Sequence, residues 1–129
     1  MTNDELILQF ENCTLPKDEF HHAAHVRTAW IYLKKYPVLD AIANFTRSLK
    51  AYADSLGAAG LYHETVSWGY MFLINERMFR SPGENWDEFA AANPDLLRWR
   101  DGAFMQYYGK EILTSDTARK VFVLPGKLR

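Results

Sequence analysis

The sequence predicts an all-α protein, a single-domain helical bundle over residues 1–129 with three long helices and several short C-terminal ones. Three observations predict it. Apolar residues recur at the helical period nearly throughout the chain. Pro37, Gly57, Gly60 and the "SPGEN" stretch interrupt that pattern at helix-length intervals. No alternating strand pattern of useful length occurs, "VFVLP" being the nearest and too short and isolated to found a sheet.

Thr2 with Glu5 has the form of a capping box ahead of Leu6, Ile7 and Phe10, so a short first helix should end near Asn12. Pro16 marks a turn or the start of the second helix, about 18 to 36, which Pro37 stops. The third, about 38 to 56, sets Val38, Ile42, Phe45, Leu49, Tyr52 and Leu56 on one face, with Asp40, Arg47, Lys50 and Asp54 opposite. The fourth, about 61 to 80, is apolar on most sides, as a central helix should be. Asn85 with Glu88 starts a short helix through Ala92, and Asn93-Pro94-Asp95 reads as N-cap, first position and acidic second position of the next. Gly109 reads as a terminator after Tyr107 and Tyr108, and Ser115-Asp116 as the cap of a last helix into "ARKVF".

Composition excludes several classes. With 129 residues, 48% hydrophobic and 24% charged, the chain is long enough for a core and too apolar for disorder. A net charge of −1 and no long cationic run argue against a nucleic-acid partner. No apolar run reaches the ~18 residues of a membrane span. The start "MTNDELILQF" lacks a signal-peptide pattern, and the single cysteine, Cys13, cannot pair internally; a cytoplasmic setting without a membrane partner is expected. Cys13 lacks any nucleophile motif around it and reads as an inert thiol. Aromatics, at 15%, are rich enough to fill a core, line a ligand cavity or leave a face for a homodimer.

The chemistry-bearing stretch is "EFHHAAHVRTAWIYL". Spacing residues 100° apart on the second helix places His22 and His25 on the arc of Val26, Ala29, Leu33 and Tyr36, about 60° from one another, with His21 nearer the water boundary. On the fourth helix, His63 falls on the arc of Val66, Ser67, Tyr70, Leu73 and Ile74, and Glu64 lies beside a polar ridge. Imidazoles in an apolar interior need partners for both ring nitrogens. One answer is a transition metal. Residues i and i+3 of a helix can share one ion, so His22, His25 and His63 are the candidate metal ligands, with Glu64 as fourth ligand or general base. Glu19 is a further carboxylate, and Tyr62, Ser67 and Tyr70 could orient the rings. Zinc, iron, manganese, nickel and copper all accept such ligands. The expectation is therefore a metal-binding bundle, in catalytic form a small non-haem metalloenzyme acting on a small molecule.

The alternative is a metal-free helical ligand-binding or protein-interaction module whose histidines are structural. It expects an apolar patch or cleft away from them. A haem protein with one axial histidine is a third, weaker reading. Asn75, Glu76, Arg77 and Arg80 read as a solvated face with local ion pairs, Arg77 being the exception in that it shares His63's arc, though about 21 Å further along an ideal helix and so outside the same small site; "FMQYYGKEIL" reads as aromatic packing.

The segments "FHHAAHVRTAWIYL", "YHETVSW", "WDEFAAANPDLL" and "FVLP" resemble a family of small bacterial all-α proteins with an F-x-H-x-x-H-V-R…Y-H-E-T pattern. The resemblance runs from Phe20 onward. It implies polar-core positions for His22, His25, His63 and Glu64, does not include His21, and carries no substrate with it.

Overall fold

Thr2 and Glu5 form the capping box that opens the first helix, α1 (Asn3–Glu11): the Thr2 hydroxyl accepts from the Glu5 amide, and the Glu5 carboxylate accepts from the Thr2 amide. The computed structural model describes residues 1–81 and 83–126, and within them the chain is all-helical, as its periodicity predicts. Pro82 of "SPGEN" lies outside the described residues. By packing, the chain divides into two units, Met1–Tyr62 and His63–Arg129.

In the first unit α1 packs with α2 (His22–Lys35) and α3 (Val38–Ser55). Phe10, wholly buried, is their common centre. Its ring lies 5.3 Å from Phe20, 6.0 Å from Phe45, 5.5 Å from Tyr52 and 6.4 Å from Tyr32, in stacked, tilted and edge-on arrangements. Buried hydroxyls find partners at the rim: Tyr52 donates to the Leu15 carbonyl, and Tyr32 to the Glu11 carboxylate. Arg27 ties α2 back to α1 through the Asn3 side chain and the Met1 carbonyl.

Both α1 and α3 end in the same motif. After α3, Gly57 takes φ +70°, its amide bonds the Asp54 carbonyl and the next amide bonds Ala53. After α1 the same place is held by Cys13 at φ 60°, with Cys13 bonding Phe10 and Thr14 bonding Gln9. A side chain in this left-handed region costs about 1 kcal/mol that glycine avoids.

The second unit is built along α4 (Glu64–Arg80). Short helices α5 (Trp86–Ala92), α6 (Lys110–Leu113) and α7 (Asp116–Lys120) and two 3₁₀ turns, Pro94–Leu97 and Ala103–Gln106, complete it. The Asn85/Glu88 box and the Ser115 cap form as their sequence predicts. Gly69 is the contact point on α4. A Cβ there would lie 2.6 Å from the Phe104 ring, so only glycine lets that ring rest on the helix. Phe104 in turn stacks on Tyr70 at 4.5 Å and Tyr108 at 4.9 Å.

Four expectations are revised. The second long helix starts at His22 rather than near 18, because a 3₁₀ turn at Lys17–Glu19 turns Phe20 into the aromatic cluster first. The fourth starts at Glu64 rather than near 61. Asn93-Pro94-Asp95 opens a 3₁₀ turn, and Asn93 does not cap it, since its amide instead donates to the Phe89 carbonyl and accepts from Arg77. Gly109 opens α6 instead of terminating a helix.

The Cys13 geometry predicts that Cys13→Gly raises the stability of the first unit by about 0.5–1 kcal/mol, read as a higher denaturation midpoint monitored through Trp30. A lower midpoint would mean that the thiol's own packing outweighs backbone relief.

Candidate functional site

The four histidines occupy three kinds of position. His21 is the N-cap of α2: its Nδ1 accepts the Ala24 amide at 3.3 Å, and its side chain stands at the water boundary as expected. His22 follows at the first helical position and is half-buried.

His25 lies one turn into α2 with its ring edge-on to Phe20 at 4.8 Å and to Phe45 at 5.8 Å. It is therefore a member of the Phe10 cluster. Among the described residues no hydrogen bond reaches its ring. Burial among these rings disfavours the imidazolium and pushes its pKa down to about 4, with the neighbouring charge of His22 a smaller cause.

His63 is the N-cap of α4, outside the helix proper, so the helical wheel does not describe its direction. Its Nδ1 accepts the Val66 amide at 3.2 Å, and its Nε2 lies 2.7 Å from the Leu113 carbonyl oxygen at the end of α6. A carbonyl can only accept. Nε2 therefore carries the proton and Nδ1 the lone pair, a single neutral tautomer with both nitrogens engaged. The ring thus satisfies one orphan amide at the start of α4 and one orphan carbonyl at the end of α6. Glu64 occupies the first helical position, where a carboxylate suits the dipole of α4.

His22 and His25 belong to the first unit and share one turn, whereas His63 and Glu64 belong to the second. Among the described residues no three His, Cys, Asp or Glu side chains are grouped so that they could hold a metal ion. Of the proposed orienting groups, Ser67 and Tyr70 are buried along α4; Tyr62 in the first unit has the Lys50 ammonium 4.9 Å from its ring centre.

Arg77 is not part of a local solvated face. It forms a two-pronged pair with Asp95, at 2.9 and 2.7 Å, and also donates to Asn93, clamping the Pro94–Leu97 turn to α4. Its hydrogen bonds hold the Asp95 carboxyl below the usual range. Glu76 and Arg80 make the local pair the sequence predicts, at 2.7 Å.

α4 also borders a groove that no sequence motif marks. The groove, of about 130 Å³, is lined by Gly69, Phe72, Leu73 and Glu76 of α4 together with Phe104, Tyr107, Tyr108, Phe122 and Pro125. The wall after α7 is the "VFVLP" segment, which forms no strand. It runs extended because Thr65, fully buried on α4, donates to the Val121 carbonyl and accepts the Val123 amide, while the Tyr108 hydroxyl donates to the Val123 carbonyl at 2.7 Å. Between those anchors Phe122 lies 5.9 Å from Trp68 and 6.0 Å from Phe72. The sequence signal that could have found this groove was Gly69 in the middle of an apolar helix, which marks a close approach by another group.

Comparison with protein-family models, curated proteins and solved structures finds no match. No helix among the described residues is long and apolar enough to cross a membrane.

Two outcomes follow from the histidine geometry. His63→Ala should cost about 2 kcal/mol by losing a cap and a buried-carbonyl partner, whereas His63→Asn, which can still cap, should recover about half; paired denaturation curves measure both. Because the folded pKa of His25 is depressed, the unfolded chain binds a proton first as pH falls. Stability of the first unit should accordingly be full above pH ~6.5 and decline between there and pH 4 by about 1 kcal/mol per pH unit, a dependence that His25→Leu should abolish.

Proposed function

We propose that this protein is a metal-free helical ligand-binding module in which the histidines are structural and the groove beside α4 receives a small, largely apolar molecule. The observation that carries this reading is the groove itself. No histidine is among its lining residues, and rings make up most of that lining. Its volume of about 130 Å³ is close to the roughly 150 Å³ that suffices, in an apolar cavity, to take up a single six-membered ring. Partial exposure of Phe72, at 39%, leaves an aromatic face available at the entrance.

The imidazoles support the same reading through what they already do. His63 would have to release the Leu113 carbonyl before Nε2 could ligate an ion, leaving that acceptor unsatisfied. His25 serves the Phe10 cluster as a flat ring. The reading in which His22, His25 and His63 hold a transition metal, with Glu64 as base, is favoured by one observation, that His22 and His25 are near enough for one charge to oppose the other.

Ligand-observed NMR with single-ring neutral compounds such as toluene and phenol tests the groove. Binding is expected, and Phe72→Ala should weaken it about fivefold by removing one wall. Elemental analysis of protein purified without chelator runs beside it. Stoichiometric metal that disappears in His22→Ala/His63→Ala would replace this reading with the metal one, and no binding of any ring compound would remove the groove from function.

A further inference from the structure

We infer that a second copy of this chain closes the α4 groove: in a weak two-fold dimer the Phe79 ring of each copy enters the groove of its partner, so that self-association and ligand entry exclude one another. This rests on the ligand-binding reading above and adds its regulation.

Size and position point to Phe79. It is the most exposed large apolar side chain of the described residues, at 89%, and it stands in the last turn of α4. Its side chain is a single six-membered ring, the size the groove admits, and it takes no part in lining its own groove. Phe72, Glu76 and Phe79 fall within about 60° of arc on α4, with Phe79 about 10 Å beyond Phe72 along the axis. The groove and a ring that fits it therefore share one helix face, displaced along it. Two such helices set antiparallel about a two-fold axis near Glu76 bring each ring to the partner's groove at once, the self-complementary relation of an isologous interface. A head-to-tail contact would fill one groove and leave the other open.

Charge order fits the same pairing. Glu76 and Arg80 form an ion pair within α4, at 2.7 Å. Antiparallel apposition turns Arg80 of each copy toward Glu76 of the other, so the two local pairs join into an alternating cluster without either pair having to break. Parallel apposition in register would set like charges opposite one another. Area sets the strength. A buried Phe contributes roughly 200 Å², so the open parts of Phe79, at 89%, and Phe72, at 39%, offer roughly 250 Å² per copy. A stable dimer needs about 800 Å² per partner. The association is accordingly weak and reversible, as a plug that a small ligand can displace has to be.

Sedimentation equilibrium of the full chain from about 10 μM to 1 mM, with and without phenol, tests the inference. A monomer–dimer equilibrium with a Kd on the order of 100 μM is expected, and saturating phenol should raise that Kd at least about threefold. Phe79→Ala, at an exposed position whose truncation spares the core, should be monomeric throughout. Its phenol affinity by NMR should not change with protein concentration, whereas that of the unsubstituted protein should fall as the concentration rises. Arg80→Glu should weaken the dimer about fivefold, and Glu76→Arg combined with Arg80→Glu should restore it. A chain that stays monomeric at 1 mM, or a dimer that survives Phe79→Ala or ignores bound phenol, would overturn the inference while leaving the ligand-binding reading in place. Phenol that fails to bind even Phe79→Ala, whose groove is open, would remove the ligand-binding reading and the competition with it.

Discussion

The missing Cβ of Gly69 is the constraint on which the second unit depends. A methyl group there would meet the Phe104 ring at 2.6 Å, well inside contact distance, and the ring could not lie against α4. With Phe104 in place, Tyr108 stacks on it, and the Tyr108 hydroxyl reaches the Val123 carbonyl. Thr65, one turn N-terminal of Gly69 on α4, holds the same extended segment from the other side. Two side chains thus do for the last described segment what a neighbouring strand would do in a sheet. Phe122 is set against α4 in consequence, and the space left between it and Phe104 is the groove.

Histidine serves here as a capping residue. Nδ1 of His21 and Nδ1 of His63 each accept the amide three residues on, the job usually given to Ser, Thr, Asp or Asn. An imidazole adds something those residues lack, a second polar atom about 2 Å further out, which His63 extends to the Leu113 carbonyl. One ring thereby joins the start of α4 to the end of α6. Asparagine or serine could cap but could not also span that gap, which gives a reason for a histidine at position 63 independent of any metal.

Much of the fold was legible because local signals and burial agree. The Thr2/Glu5 and Asn85/Glu88 boxes, the Ser115 cap and the Ile42, Phe45, Leu49 and Tyr52 face of α3 each form where the sequence places them. The starts of α2 and α4 were legible only in part, because Phe20 and His21 and the residues from Leu61 to His63 continue the helical pattern of the sequence while their backbone does not enter the α-helix. Phe20 turns away to stack on Phe10, a preference set by a tertiary partner that no local pattern contains. The same shift moves His63 off its helical arc and into the cap. Cys13 at a left-handed position and Arg77 reaching Asp95 are likewise long-range or backbone outcomes, whereas the local Glu76–Arg80 pair was readable from its spacing alone. The groove escaped because its walls come from three segments, around residues 69–76, 104–108 and 122–125.

A single aromatic-rich composition has two fates in this chain, and backbone geometry decides between them. In the first unit the rings of Phe10, Tyr32, Phe45 and Tyr52 are nearly or wholly buried, because α1, α2 and α3 close around one centre and the hydroxyls find partners at its rim. In the second, α4 is flanked by short helices and an extended segment that cannot wrap it completely. Phe79 is 89% exposed and Leu124 74%. Aromatic surface left open costs hydration free energy in the isolated protein, roughly 25 cal/mol for each Å² not buried. A fold that encloses Phe10 fully thus leaves Phe72, Tyr107 and Phe122 around a ring-sized space, where apolar surface stays open to water.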